Sequence, residues 1–280
     1  MKILFIHQNF PGQFKFLAPA LAQRGHTVHA LSLNESREEC GVKMHSYKII
    51  KSTSKDIHPW IVDFETKVIR AEACFRAAFD LKDSGFSPDL IIAHHGWGES
   101  LFLKDVWPKA KIGLFCEFFY NLSGQDVGFD PEFSSKDSAD ICRMRLKNVN
   151  NLMHFEFADA GISPTQWQAS TFPKSFQSKI TVVHEGIDTS SLLPNSNISM
   201  TLNGNTVLTK KSEVITFVNR NLEPYRGYHI FMRALPEVLK RRPNARVLIV
   251  GGDGISYGKM HISGKKWKDI FINEVRQNIS

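Results

Sequence analysis

Two arginines, Arg220 and Arg226, flank a turn in the run Val214-Ile-Thr-Phe-Val218-Asn-Arg220-Asn-Leu-Glu-Pro-Tyr-Arg226-Gly227. A β-branched strand feeds this turn, and an apolar periodicity (Ile230, Phe231, Ala234, Leu235, Val238, Leu239) starts soon after the glycine. Arg220 therefore falls at a strand exit and Arg226 just before a helix. In open α/β sheets that is where ligands sit, outside the carboxyl ends of the strands. Guanidinium groups make paired, charge-assisted hydrogen bonds to phosphate oxygens, and a helix start adds N–H donors. The chemistry this arrangement suits is the holding of a diphosphate.

Other residues have types and positions that suit a site. Glu117 follows an apolar strand, so its carboxylate lies at or near the same rim; otherwise it caps a helix or pairs with a base. His94 and His95 end another strand, placed for acceptor contact or proton handling, or else as one buried and one exposed imidazole. No third ligand stands at useful spacing, so no metal is expected there. Gly12, in Pro11-Gly12-Gln13, admits close backbone approach to a phosphate or acceptor, or simply makes a strand-to-helix turn. Gly251-Gly252-Asp253-Gly254 reads either as a phosphate loop or as a turn. The cluster Phe118-Phe119-Tyr120 reads as packing.

Alternating signals predict the elements that position these groups. Strands are expected at 3–6, 27–33, 90–93, 111–115, 160–162, 180–183, 214–219 and 245–250. Helices are expected at 14–24, 64–81, from about 99, at 141–157, after Ser163 as a capping hydroxyl, and at 228–241. Residues 34–60 are irregular, with a weak strand signal at 47–50. This alternation implies an α/β fold, a doubly wound Rossmann-like parallel sheet with both faces covered. Residues 1–188 form a first domain and 189–212, rich in Ser, Asn and Thr, a linker with at most one short strand. Residues 213–280 begin a second α/β domain. A doubly wound domain needs roughly 150 residues, so this one reads as incomplete. A half-built sheet leaves an unpaired edge, so a dimer through that edge is expected. Residues 255–280 are then expected to be mobile, displaced or packed on another chain.

Composition narrows the function classes. Of 280 residues, 42% are hydrophobic and 22% charged, ordinary for a globular protein. The formal charge of +7 is spread over short clusters such as Lys240-Arg241-Arg242, which read as solvated helix ends and turns or else as attraction to anionic ligands or peripheral contact with an anionic membrane. No basic stripe interleaves with stacking aromatics, so nucleic acid is not expected. The four cysteines (Cys40, Cys74, Cys116, Cys142) lack metal-ligand spacing and read as reduced thiols of a cytoplasmic protein. No apolar run approaches the roughly 20 residues that span a bilayer.

The strand–Asn219-Arg220…Arg226-Gly227–helix–strand–Gly251-Gly252-Asp253-Gly254 pattern resembles the opening of the donor domain of family-four retaining glycosyltransferases, which adopt the GT-B fold. Asn9-Phe-Pro-Gly12-Gln-Phe14, Gly96-Trp-Gly98-Glu99, Glu117-Phe-Phe-Tyr120, Ser163-Pro-Thr165 and His184-Glu-Gly186-Ile-Asp188 are similar to the acceptor-side domain. The resemblance implies transfer of a sugar from a nucleotide-sugar, a co-substrate rather than a cofactor, to a saccharide or lipid-linked acceptor with retention. It places Arg220 and Arg226, the latter where lysine is more usual, on the donor diphosphate together with Gly12 and Gln13. From their positions at strand exits, His94 and Trp97 are assigned to the acceptor side and Glu117 and His95 to catalysis. Family members commonly carry a histidine after the strand at 112–115, where this chain has Cys116-Glu117, so either Glu117 takes the contact to the sugar or the chemistry differs in detail. Their paired donor-domain glutamates belong beyond Ser280, so this chain alone is expected to be inactive. The competing reading is a non-catalytic α/β module that binds a saccharide or a protein.

Overall fold

Ile3, Leu4, Phe5 and Ile6 are all buried, so the first strand has apolar side chains on both faces and must be covered on both. The computed structural model describes residues 1–121, 124–125, 127–134 and 137–279. The chain separates into two compact units, Met1–Ile187 and Asp188–Ser280.

The first unit runs β1 (Lys2–Ile6), α1 (Leu17–Gln23), β2 (Thr27–Ser32), β3 (Arg37–Glu39), β4 (Val42–Ser46) and α2 (Val62–Asp83). It continues through β5 (Leu90–Ala93), α3 (Leu103–Val106), β6 (Lys111–Phe115), α4 (Asp140–Lys147) and α5 (Val149–Phe157). Next come β7 (Ala160–Ser163), α6 (Gln166–Thr171), α7 (Lys174–Gln177) and β8 (Ile180–Val182). The strands form one eight-stranded sheet in the order β3-β4-β2-β1-β5-β6-β7-β8. Every pairing is parallel except the β3–β4 hairpin. One core layer gathers Leu4, Ile6, Ile91, Leu114 and Cys74; the other gathers Ile3, Phe5, Phe14, Val28 and Phe115. This is the expected doubly wound α/β fold.

Several local expectations are corrected. The weak strand signal at 47–50 is displaced: the strand is β4, paired to β2 and doubled back on β3. The helix expected from about 99 is the single turn α3. The single helix expected at 141–157 is broken at Asn148, whose side chain bonds the backbone of Tyr120. Thr165, not Ser163, caps α6 by accepting the Gln168 N–H at 3.1 Å, while Ser163 is buried and donates to the Cys116 carbonyl.

Gly98 fixes how the segment after β5 meets α2. Its φ is +99°, and a Cβ there would lie 2.6 Å from the Lys67 carbonyl oxygen, a backbone atom that cannot rotate away. Gly98→Ala is expected to cost about 2 kcal/mol, from left-handed strain and overlap together. A urea titration checks this; an unchanged midpoint would contradict it.

The second unit contains the antiparallel pair β9 (Ser199–Leu202) and β10 (Thr206–Thr209), then β11 (Val214–Asn221), α8 (Tyr228–Arg241), β12 (Arg246–Gly252) and α9 (Trp267–Val275). The stretch read as a linker thus carries a hairpin rather than one strand. β11 and β12 pair in parallel, and Phe217 packs on Tyr228 and Phe231 of α8. The tail is not displaced as expected. Phe271 of α9 is buried against Tyr228, and Arg233 meets Glu274 at 2.6 Å. Covering the apolar stripe of α8 is the reason. Among the described residues no helix is long and apolar enough to cross a membrane.

Candidate functional site

β1 pairs with β2 on one side and β5 on the other, so the sheet reverses its winding between β1 and β5. Crevices for ligands form at that switch point, outside the carboxyl ends of the strands. The residue after each of these two strands is a histidine: His7 and His94, whose rings stand 5.5 Å apart, edge to face.

The backbone fixes the protonation of His7. Nδ1 accepts the Asn9 N–H at 3.0 Å, which leaves Nε2–H to donate to Gln13 Oε1 at 2.7 Å. Burial, then the neighbouring His94, lowers its pKa to about 4, so the ring is neutral near pH 7. Gly12 is demanded here by packing: at φ +45°, a Cβ would fall 2.2 Å from the His7 ring. Ser32 holds the loop, accepting the Phe10 N–H and donating to the Gln8 carbonyl, and Asn34 donates to the Phe10 carbonyl.

His94 stacks on Trp97, with ring centroids 3.9 Å apart and planes 16° off parallel, and its Nε2 lies 2.9 Å from Glu117 Oε2. A carboxylate accepts, so Nε2 carries the proton. Nδ1 is buried without a hydrogen-bond partner. Glu117 follows β6 and keeps 40% of its side chain exposed, so the pair joins a buried ring to a partly exposed carboxylate. Glu185, after β8, has its pKa raised by burial and by the charge of Glu117. Sequence reasoning overlooked it, though its motif was noted. The arrangement can accept hydrogen bonds from a polyhydroxylated ligand, and it can hold a proton at His94.

His95 is corrected. It is buried in the core, with Nδ1 3.2 Å from the Phe115 carbonyl and its ring against His154, Phe155 and Phe172. The 3-10 turn after β5 swings its side chain away from the crevice that His94 faces. Burial holds its pKa well below that of free histidine. It therefore reaches no ligand. Glu99 is buried too, accepting from Tyr47 at 3.2 Å, and burial raises its pKa. Two shallow hollows of about 340 and about 240 Å³ flank α2, one beside Phe75 and Phe102 and the other beside Tyr47 and Ile69. Neither contains the residues of the switch point, and the site is placed by topology and chemistry instead.

In the second unit, the turns after β11 and β12 are stitched together. Asn221 accepts the Gly254 N–H and donates to Ser256 Oγ, and the fully buried Glu223 accepts the Ser256 N–H through both oxygens. Gly251 and Gly252 serve this approach: a Cβ at either would fall 2.8 Å from Asn219 O or Asn221 Oδ1 respectively. Arg226 is partly held, with Nε 4.0 Å from Glu223 Oε1 and the guanidinium 5.1 Å from the Tyr257 ring centroid. That Nε is buried without a hydrogen-bond partner, and 30% of the side chain is exposed. Arg220 is exposed at the carboxyl end of β11 and, among the described residues, has no ion pair.

The structure thus brings together Gly12, Gln13, His94, Trp97 and Glu117, adds His7 and Glu185, and sets His95 apart. Arg220 and Arg226 belong to the second unit, with Asn221 and Glu223 as the overlooked residues that shape their turn. A carboxylate one residue after Leu222 in a turn is the signal that was available for Glu223.

Residues 24–192 match the profile of the glycosyl transferase family 4 group. Among solved structures, the chain is similar to the catalytic domain of starch synthase IV from Arabidopsis thaliana bound to ADP and acarbose. That similarity has 16% identity, 89% of this chain, 68% of that chain and a TM-score of 0.53. It is also similar to an α,α-trehalose-phosphate synthase (UDP-forming) from Burkholderia vietnamiensis. There the identity is 12%, over 99% of this chain and 69% of that chain, with a TM-score of 0.54. Comparison with curated proteins gives no match.

Proposed function

Because the chain belongs to the glycosyl transferase family 4 group, we propose that it takes part in moving a sugar from a nucleotide-sugar to an acceptor hydroxyl, with retention of anomeric configuration. The observation that carries the reading is the His94–Glu117 pair at the switch point of the sheet, beside His7 and Trp97. In this reading the donor diphosphate is held by Arg220 and Arg226. Its leaving charge is then met by guanidinium groups already in place, the kind of preorganised stabilisation that dominates such reactions. Glu117, oriented by His94, accepts a hydrogen bond from a sugar hydroxyl, the contact for which this chain has no histidine after β6. Trp97 shields one face of His94. The acceptor is a saccharide or lipid-linked sugar whose hydroxyls meet Glu117 and Glu185.

Glu117→Gln in the full-length protein tests this. The side chain keeps its shape but loses its charge and its grip on the His94 proton. Transfer from nucleotide-sugars, followed by proton NMR of the anomeric signals, is expected to fall roughly ten- to hundredfold with the product anomer unchanged. Wild-type turnover in Glu117→Gln would remove the pair from the reaction, and an inverted product would remove retention.

A further inference from the structure

Helix α5 buries an unusual set of side chains. Phe155 and Phe157 pack on the core, but its fully buried positions are Asn150, Asn151 and His154, whereas Leu152 and Met153 are exposed. A helix laid against a sheet normally buries an apolar stripe. Burying three polar side chains is costly unless each finds partners. Here the partners are specific. Asn148, at the junction of α4 and α5, accepts the Tyr120 N–H at 3.1 Å and donates to the Tyr120 carbonyl at 2.6 Å, pairing with that backbone as a strand would. Asn150 donates to the His95 carbonyl at 2.9 Å. His154 donates from Nδ1 to the Asn150 carbonyl at 2.7 Å, and its Nε2 accepts from Ser100 Oγ at 2.8 Å. Asn151 ties back to Asn148 at 3.2 Å.

We infer that Asn148, Asn150 and His154 form a positioning platform that sets the distance and angle of the His94–Glu117 pair. The two segments it grips are those that carry the two partners: residues 94–100 follow β5, and residues 116–121 follow β6. From the opposite side, Thr171 Oγ1 accepts the Phe119 N–H and Ser163 donates to the Cys116 carbonyl, so the Glu117 segment is fixed at three points. Helix α5 thus reads two neighbouring backbones at once. An apolar face would pack equally well but would leave the two segments free to slide. None of the three residues touches a ligand; each acts through His94 or Glu117. The inference rests on the proposed role of that pair, but its test does not.

The test is NMR of protein labelled with 15N-histidine. The imidazole N–H that His94 donates to Glu117 is assigned by its loss in His94→Gln. The N–H shared by His29 and His45, whose ring nitrogens are 3.0 Å apart on β2 and β4, serves as the internal reference. Asn150→Asp keeps the size of the side chain and removes the donor facing the His95 carbonyl. Solvent exchange of the His94 proton is expected to quicken at least tenfold while the reference is unchanged. Ser100→Ala, which only deletes a hydroxyl, is expected to act in the same direction even if Asn150→Asp does not fold. An unchanged His94 signal in a folded Asn150→Asp or in Ser100→Ala would overturn the inference, as would equal quickening of both signals. Normal exchange together with normal turnover in Glu117→Gln would instead refute the functional reading.

Discussion

Lowering the pH from about 6.5 to about 4 is expected to strip several kcal/mol of stability from the first unit. His7 and His154 are neutral in the folded chain, with pKa values lowered to about 4 chiefly by burial, and burial also holds His95 well below the usual histidine value. In the unfolded chain each regains an ordinary pKa near 6.5. The unfolded state therefore binds more protons across this window, and stability falls as the pH drops through it. A difference of this size is worth on the order of 3 kcal/mol for a buried imidazole such as His154, and His95 adds in the same direction. His29 is also lowered to about 4, but it is only partly buried and adds less after solvent screening. Glu99 works the other way, since its raised pKa lets the folded state take up a proton first, but it is one group against three. Urea midpoints recorded between pH 7.5 and 4.5 check the sign. A flat profile would mean that these imidazoles are not buried and neutral.

Arg220→Ala is expected to weaken binding of a nucleoside diphosphate roughly ten- to hundredfold, the equivalent of about 1.5–3 kcal/mol for a charge-assisted hydrogen bond to phosphate. The side chain is exposed and has no ion pair among the described residues, so its removal leaves the fold intact and takes away only the cation. Arg226 differs. It leans on Glu223 and Tyr257, and Glu223 organises the turn through Ser256. Replacing Arg226 therefore leaves a buried carboxylate without its nearby cation, and the loss of affinity would mix with loss of the turn. Arg220→Ala is the cleaner probe of the two.

The sheet was legible because its strands are apolar throughout. Ile3 to Ile6 and Leu90 to Ala93 have no polar alternation, which only a strand covered on both faces tolerates. The strand exits followed from that, and with them His94, His95 and Glu117 as candidates; the switch point itself required the strand order. The choice between His94 and His95 was not legible. Adjacent residues at a strand exit are equivalent in pattern, and only the 3-10 turn over 95–97 decides which ring faces out. His7 escaped notice because its importance comes from contacts with Gln13, Gly12 and His94, none of which has a periodic signature. Helix α5 misleads for a different reason: beside the core-packing Phe155 and Phe157 it buries Asn150, Asn151 and His154, polar positions whose burial is explained only by the groups they bind. In the second unit, Trp267, Ile270, Phe271 and Val275 marked a tail helix, as observed, but the tail was expected to be loose because too few strands follow. The apolar stripe of α8 nonetheless supplies a surface on which Phe271 settles, with Trp267 stacked on it.

Isothermal titration calorimetry with adenosine, uridine and guanosine diphosphates, on the wild-type protein and on Arg220→Ala, tests most directly whether this chain receives a nucleotide-sugar donor. At least one diphosphate is expected to bind the wild-type protein and to lose roughly ten- to hundredfold in affinity in the variant. If none binds, or if the one that binds does so equally well without Arg220, the donor assignment is wrong.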